Sequence, residues 1–132
     1  METPCKGLTI PEIIAVNRQV TGKYGGRHGF LSRESLGSLE HTLVQLQGSL
    51  YGEPLYPTLI AKAAFLCIRL AQGHFFLDGN KRTAFECCKI MLQLNGLHLI
   101  IDHADVVDRM VAIAEKRMDL SDVERWLSDM LS

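Results

Sequence analysis

At 132 residues the chain fits one domain around one core, and with 47% of its residues hydrophobic it has the apolar surface to bury one. Formal charges nearly cancel, at −1, so no basic excess argues for direct nucleic-acid binding. No apolar run reaches the length of a bilayer span, and Met1-Glu2-Thr3-Pro4-Cys5 lacks the basic-then-apolar pattern of a secretory leader; the expectation is a cytoplasmic single domain over residues 1–132 with no membrane partner.

The periodicity is helical almost throughout. Thr9-Ile10-Pro11-Glu12 combines a capping box with a proline near the helix start. Ile10, Ile13, Ile14 and Val20 follow on one side, and Thr21-Gly22-Lys23-Tyr24-Gly25-Gly26 stops the helix. Ser32 caps a second helix, with Leu36, Leu39, Leu43, Leu46 and Leu50 as its buried stripe. Gly48, Gly52 and Pro54 then predict an irregular segment from about Tyr51 to Pro57.

Thr58 to Gln72 is apolar on nearly every face, the mark of a helix at the centre of a fold. Gly73 ends it, and a short loop leads into a helix from about Asn80 to Leu94, stopped by Asn95-Gly96. Leu97 to Ile101 can be a short extended piece. Asp102 can cap a helix through Val106, Val107, Met110, Ile113 and Ala114, and Ser121-Asp122-Val123-Glu124 reads as a capping box for a last helix carrying Trp126, Leu127, Met130 and Leu131. The expected fold is all-α: a compact bundle of about six helices, with no adequate sheet signal.

Cys5, Cys67, Cys87 and Cys88 form no CxxC pair, and adjacent cysteines are strained disulfide partners, so they read as reduced thiols used as small hydrophobes. His28, His41, His98 and His103 lack ligand spacing and read as surface or partly buried histidines rather than a zinc site. Arg27 and Arg33 read as solvated charges.

The chemistry concentrates at the junction after the central helix, His74-Phe75-Phe76-Leu77-Asp78-Gly79-Asn80-Lys81-Arg82. The first turn of a helix presents unpaired N–H groups and a positive dipole end, a natural anion site. Gly79 lets a ligand approach the backbone closely. Lys81 and Arg82 sit where cations oppose the dipole, which suggests an anion between them. Asp78 can cap the helix or hold a magnesium ion that bridges phosphate oxygens. His74 can serve as a base, and Phe76 as an anchor pointing the other way. A base, a metal carboxylate and an anion cradle are the parts phosphoryl transfer needs.

His74, Phe76, Asp78, Gly79, Asn80, Lys81 and Arg82 together resemble the signature of the Fic/Doc family, with Lys81 and the following Thr83-Ala84 similar to its Doc branch. Tyr24-Gly25-Gly26 with Gly29, Asn95-Gly96, the length and the helical order extend the resemblance over roughly residues 9 to 130. It implies His74 as general base, Asp78 on magnesium, and Gly79 backbone, Asn80, Lys81 and Arg82 on nucleotide phosphates, with Phe76 buried as a structural anchor. The implied substrate is ATP with Mg2+.

Doc-type enzymes transfer the terminal phosphate of ATP, stop translation by inactivating a target such as elongation factor Tu, and are neutralised by an antitoxin of the Phd type. Transfer of AMP, as in Fic enzymes with glycine at the Lys81 position, and a non-catalytic binding module on the same scaffold are the alternatives. Gly79 departs from the alanine often found in Doc toxins, and Glu86 brings a negative charge near the cradle, where it could pair with Lys81 or Arg82. No self-inhibitory motif is found, which implies control by a separate partner. Tyr51-Gly52-Glu53-Pro54 matches the place of the flap that docks the target in Fic folds, although a loop with glycine and proline there needs no functional reason.

Overall fold

The computed structural model describes residues 5–132; Met1 to Pro4, part of the segment read as lacking a secretory-leader pattern, lie outside it. Six helices follow in order: α1 (Ile10–Tyr24), α2 (Arg33–Leu46), α3 (Leu59–Gln72), α4 (Asn80–Leu94), α5 (His103–Ala114) and α6 (Leu120–Asp129). Each start has a local cause. Thr9 and Glu12 close the expected capping box on α1, with the Glu12 side chain accepting from the Thr9 N–H at 2.9 Å. Thr58 caps α3 and Asp102 caps α5 through their side-chain oxygens. None of the described helices is long and apolar enough to cross a membrane.

α3 packs against α2, α4, α5 and α6, the central position its all-round apolar sequence requires. Ala63, Leu66 and Cys67 on it are fully buried, as are Cys87 and Cys88 on α4. No cysteine among the described residues is paired in a disulfide, and Cys67 lies 3.7 Å from the Met110 sulfur, so these thiols act as packing groups. Trp126 is core as well, with its indole N–H donating to Asp105 at 3.0 Å.

Three expectations need correction. The buried row of α2 is Ser35, Leu39, Thr42 and Leu46, whereas Leu36 and Leu50 are 40% and 59% exposed. The row keeps helical spacing but is turned so that two small hydroxyl residues face inward. Thr42 makes this tolerable by donating to the Ser38 carbonyl at 3.0 Å.

The segment expected to be irregular contains a hairpin instead. β1 (Ser49–Leu50) pairs antiparallel with β2 (Glu53–Pro54), Ser49 opposite Pro54 and Leu50 opposite Glu53. Tyr51 and Gly52 form its turn with φ of 51° and 79°. Positive φ at both central positions is the turn geometry that suits hairpin twist.

The capping box of α6 belongs to Asp119 and Asp122, two residues ahead of the one read at Ser121. The Asp119 carboxylate reaches the Asp122 N–H at 2.9 Å, and that sets the helix start. The stretch Leu97 to Ile101 is extended as expected, and it pairs with the chain end: Ile100 N–H donates to the Met130 carbonyl and Ser132 N–H to the His98 carbonyl.

Candidate active site

α3 ends at Gly73, where a Cβ would lie 2.6 Å from the Arg69 carbonyl oxygen and 2.7 Å from the Phe75 ring. Only glycine fits that turn. His74 follows with a φ of 50°, a left-handed conformation that costs a non-glycine residue about 1 kcal/mol. The reversal leaves His74 exposed while Phe75 and Phe76 are each only 2% exposed. Phe76 stacks on Phe30 with centroids 5.3 Å apart. The same two loops exchange backbone bonds, Leu31 N–H to the Phe75 carbonyl and Leu77 N–H to the Gly29 carbonyl. The anchoring role expected of Phe76 therefore holds, and Phe75 shares it.

Asn80 opens α4, and its side chain folds back on the loop. Its Oδ1 accepts from the Phe76 N–H at 3.1 Å and its Nδ2 donates to the Phe76 carbonyl at 3.0 Å. The carboxamide expected on phosphate is thus occupied in bracing the loop. What Asn80 offers an anion is its backbone N–H.

The residue preceding α4 is Gly79, with φ 75° and ψ 20°, and no side chain caps the helix. Asp78 is therefore not the cap. Its Oδ2 accepts the Arg27 N–H at 2.7 Å, with the Arg27 guanidinium Nε at 3.7 Å. Arg27, read from sequence as a solvated charge, is exposed but belongs to the site through its backbone. Gly26 sits directly against Asp78: a Cβ on Gly26 would fall 2.8 Å from the Asp78 Cβ. The glycine turn after α1 and the carboxylate before α4 are thus one packed unit.

The first-turn N–H groups of α4 have no carbonyl behind them in the helix and remain available. Lys81 and Arg82 are exposed beside them, and neither enters an ion pair among the described residues. The Arg82 guanidinium lies 3.8 Å from the centre of the Tyr24 ring, a cation–π contact that restrains it. Glu86 pairs with Lys89 at 3.0 Å instead of with Lys81 or Arg82, so the cradle cations are not neutralised from that side. An apolar cleft of about 160 Å3 opens next to Lys81 and Arg82, walled by Tyr24, Phe85, Val107 and Met110.

Asn17 was not singled out by sequence reasoning. It is fully buried on α1. Its Nδ2 donates to the Asp78 carbonyl at 2.9 Å and to Thr83 Oγ1 at 3.2 Å, and its Oδ1 accepts from the Gly29 N–H at 3.1 Å. One carboxamide ties together α1, the glycine loop, the motif loop and α4. The available signal was a polar residue in line with Ile13, Val16 and Val20, where a helix facing a core carries apolar side chains.

The described residues contain no group of three or more His, Cys, Asp or Glu that could hold a metal by itself. A single half-exposed carboxylate, Asp78, suits a magnesium ion that takes its remaining ligands from phosphates and water. The uncapped helix start and its two free cations suit those phosphates.

A family model described as Fic/DOC matches residues 7–92. The chain belongs to the Fic/DOC family. It is 35% identical over 104 residues to a protein named Toxin Doc from Mycolicibacterium smegmatis, covering 76% of this chain and 78% of that one. It is 29% identical over 112 residues to a protein named Protein kinase doc from Escherichia phage P1, covering 85% of each. The Doc resemblance of the sequence and the helical bundle agree with this membership.

Proposed function

We propose that this Fic/DOC protein is the toxin of a toxin–antitoxin pair and transfers the terminal phosphate of ATP to a hydroxyl of a protein. The single observation that carries the reading is the uncapped start of α4, with Lys81 and Arg82 unpaired beside it and His74 exposed at the other end of the same loop. The names of the two relatives, a toxin and a protein kinase, support it.

The geometry supports the following roles. Backbone N–H groups at Asn80 and Lys81, with the Lys81 ammonium and Arg82 guanidinium, hold phosphate oxygens and offset the charge that shifts toward the leaving group. A ring nitrogen of His74 accepts the proton of the attacking hydroxyl; a new P–O bond forms, the bond to the β-phosphate oxygen breaks, and ADP departs. Asp78 would hold Mg2+, which supplies neutralisation of phosphate charge when bound. Asn17, Asn80 and Phe76 keep the loop in place so that base and cradle face the same substrate.

Lys81 favours phosphate transfer over transfer of AMP, because its side chain fills space beside the helix start that a glycine would leave to the nucleotide. The target is an elongation factor of the Tu kind, and its modification would halt translation in the cytoplasm. An antitoxin of the Phd type is the neutralising partner, and the apolar cleft beside Lys81 and Arg82 is the surface it would cover.

ATP labelled at the γ or the α position, incubated with the purified protein and a cell extract, tests this. The γ label should appear on a protein band and vanish with His74→Ala. Appearance of the α label alone would establish AMP transfer instead. Equal growth arrest on expression of wild type and His74→Ala would remove His74 chemistry from the account and favour a binding module.

A further inference from the structure

A second cleft, of about 370 Å3, shares no residue with the one beside α4. Tyr56, Phe65, Ile68, Arg69, Lys116 and Leu120 line it. It lies between the last turn of α3 and the turn that joins α5 to α6, and the catalytic reading of His74 makes no use of it.

Arg69 is its unexplained feature. Its Nε is buried and has no hydrogen-bond partner, and among the described residues its guanidinium enters no ion pair. Buried N–H groups of native proteins are nearly always satisfied, and a charged one left bare is costly. Lys116 brings a second unpaired cation to the same cleft, held there with a left-handed φ of 63°. The one carboxylate at the rim, Asp119, already accepts from the Asp122 N–H as the cap of α6. Two cations against one committed carboxylate leave the cleft with a net positive charge.

Apart from the Tyr56 hydroxyl and Gln72, whose Nε2 donates to the Ile113 carbonyl at 2.9 Å, the other walls are apolar. Phe65 is buried and stacked on Tyr56 with centroids 4.2 Å apart, and Ile68, Met118 and Leu120 are partly buried around it. Burial raises the Tyr56 hydroxyl pKa, and the charge of Arg69, which lines the same cleft, partly opposes that rise. An inorganic anion would satisfy the cations but not the walls. A neutral hydrocarbon would satisfy the walls but leave Arg69 bare. A planar guanidinium beside a dry wall matches a carboxylate on an alkyl stem, since the fork pairs with both oxygens and the stem gives up water.

We propose that this cleft is a second binding site, for an organic carboxylate with an apolar stem, in which Arg69 pairs with the carboxylate and Phe65, Ile68 and Leu120 bury the stem. Binding is measured on the nucleotide-free protein, so its outcome is independent of whether the protein transfers phosphate.

The test is an NMR titration of backbone amides with octanoate, octanol and inorganic phosphate. Octanoate should give saturable shifts confined to residues 56–72 and 113–122, with octanol and phosphate at least tenfold weaker. Arg69→Met, which keeps the stem and removes the guanidinium, should weaken octanoate at least tenfold; Arg69→Lys, which keeps the charge without the fork, should fall between. Absence of saturable octanoate shifts, equal shifts with octanol, or full retention of octanoate binding in Arg69→Met would each overturn the proposal. Should Arg69→Met fail to fold, the comparison of octanoate with octanol on the unaltered protein still decides.

Discussion

The Asn17 carboxamide reaches the Asp78 carbonyl at 2.9 Å although 61 residues separate them in the chain. This bond sets the height of the motif loop above α1, and the Thr83 and Gly29 bonds of the same side chain extend the tie to α4 and to the glycine loop. Asn17→Ala leaves the Asp78 carbonyl, the Gly29 N–H and the Thr83 hydroxyl without this partner. The expected destabilisation is about 2–4 kcal/mol, roughly 1–3 for the buried Thr83 hydroxyl left bare and less for the two part-buried backbone groups, which water can reach. Urea denaturation checks it, with the exposed neighbour Arg18→Ala expected to stay within about 0.5 kcal/mol of wild type. A change of equal size in both variants would refute the tie.

Gly26 and Gly25 separate conformational strain from contact. Both have positive φ, 110° and 96°, but a Cβ on Gly26 meets Asp78 at 2.8 Å whereas one on Gly25 meets nothing within 4 Å. Both alanine variants should lose about 1–2 kcal/mol of stability from the backbone term. Only Gly26→Ala should also displace the carboxylate and reduce label transfer, by tenfold or more, with a weaker response to added magnesium. Equal transfer by the two variants would detach Gly26 from the site.

Glu12 titrates below its ordinary value of 4.5, first because the Thr9 backbone N–H bonds its carboxylate and then because the Thr9 hydroxyl does so. A folded pKa below the unfolded one contributes stability that is present above the unfolded value and is lost as pH falls through the folded value. Glu12→Gln should therefore flatten part of the stability loss between about pH 5 and the lower folded value, with its cost present at neutral pH and disappearing in acid. Melting temperatures of both proteins across pH 3 to 7 read this directly. Parallel curves would mean that the box carries no pH dependence.

The thiols predict a reactivity pattern. Burial pushes the Cys87 thiol far up, and hydrogen bonding with Cys67 together with burial does the same for Cys88. Cys5 is raised more modestly by its partial burial. Since the thiolate is the reactive form, an Ellman-type reagent at pH 8 should label native protein slowly and only at Cys5. Cys67, Cys87 and Cys88 should react only after unfolding in denaturant. Rapid native labelling at Cys87 or Cys88 would show that α4 opens far more often than its packing allows.

Local sequence by itself determined where the helices run and which nine-residue stretch holds the proposed site. Thr9, Thr58 and Asp102 mark helix starts because capping is settled within four residues, and His74 to Arg82 is legible because the cradle is one contiguous loop and helix start. Only the tertiary structure decided what those side chains do with one another. It turned the α2 row toward Ser35 and Thr42, paired Glu86 with Lys89, folded the Asn80 carboxamide onto Phe76, pressed Gly26 against Asp78 and made Asn17 of α1 the common partner of three other segments. The reason is that such contacts join residues far apart in the chain, and their energies depend on burial and on which hydrogen-bond partners remain, neither of which periodicity or capping rules contain.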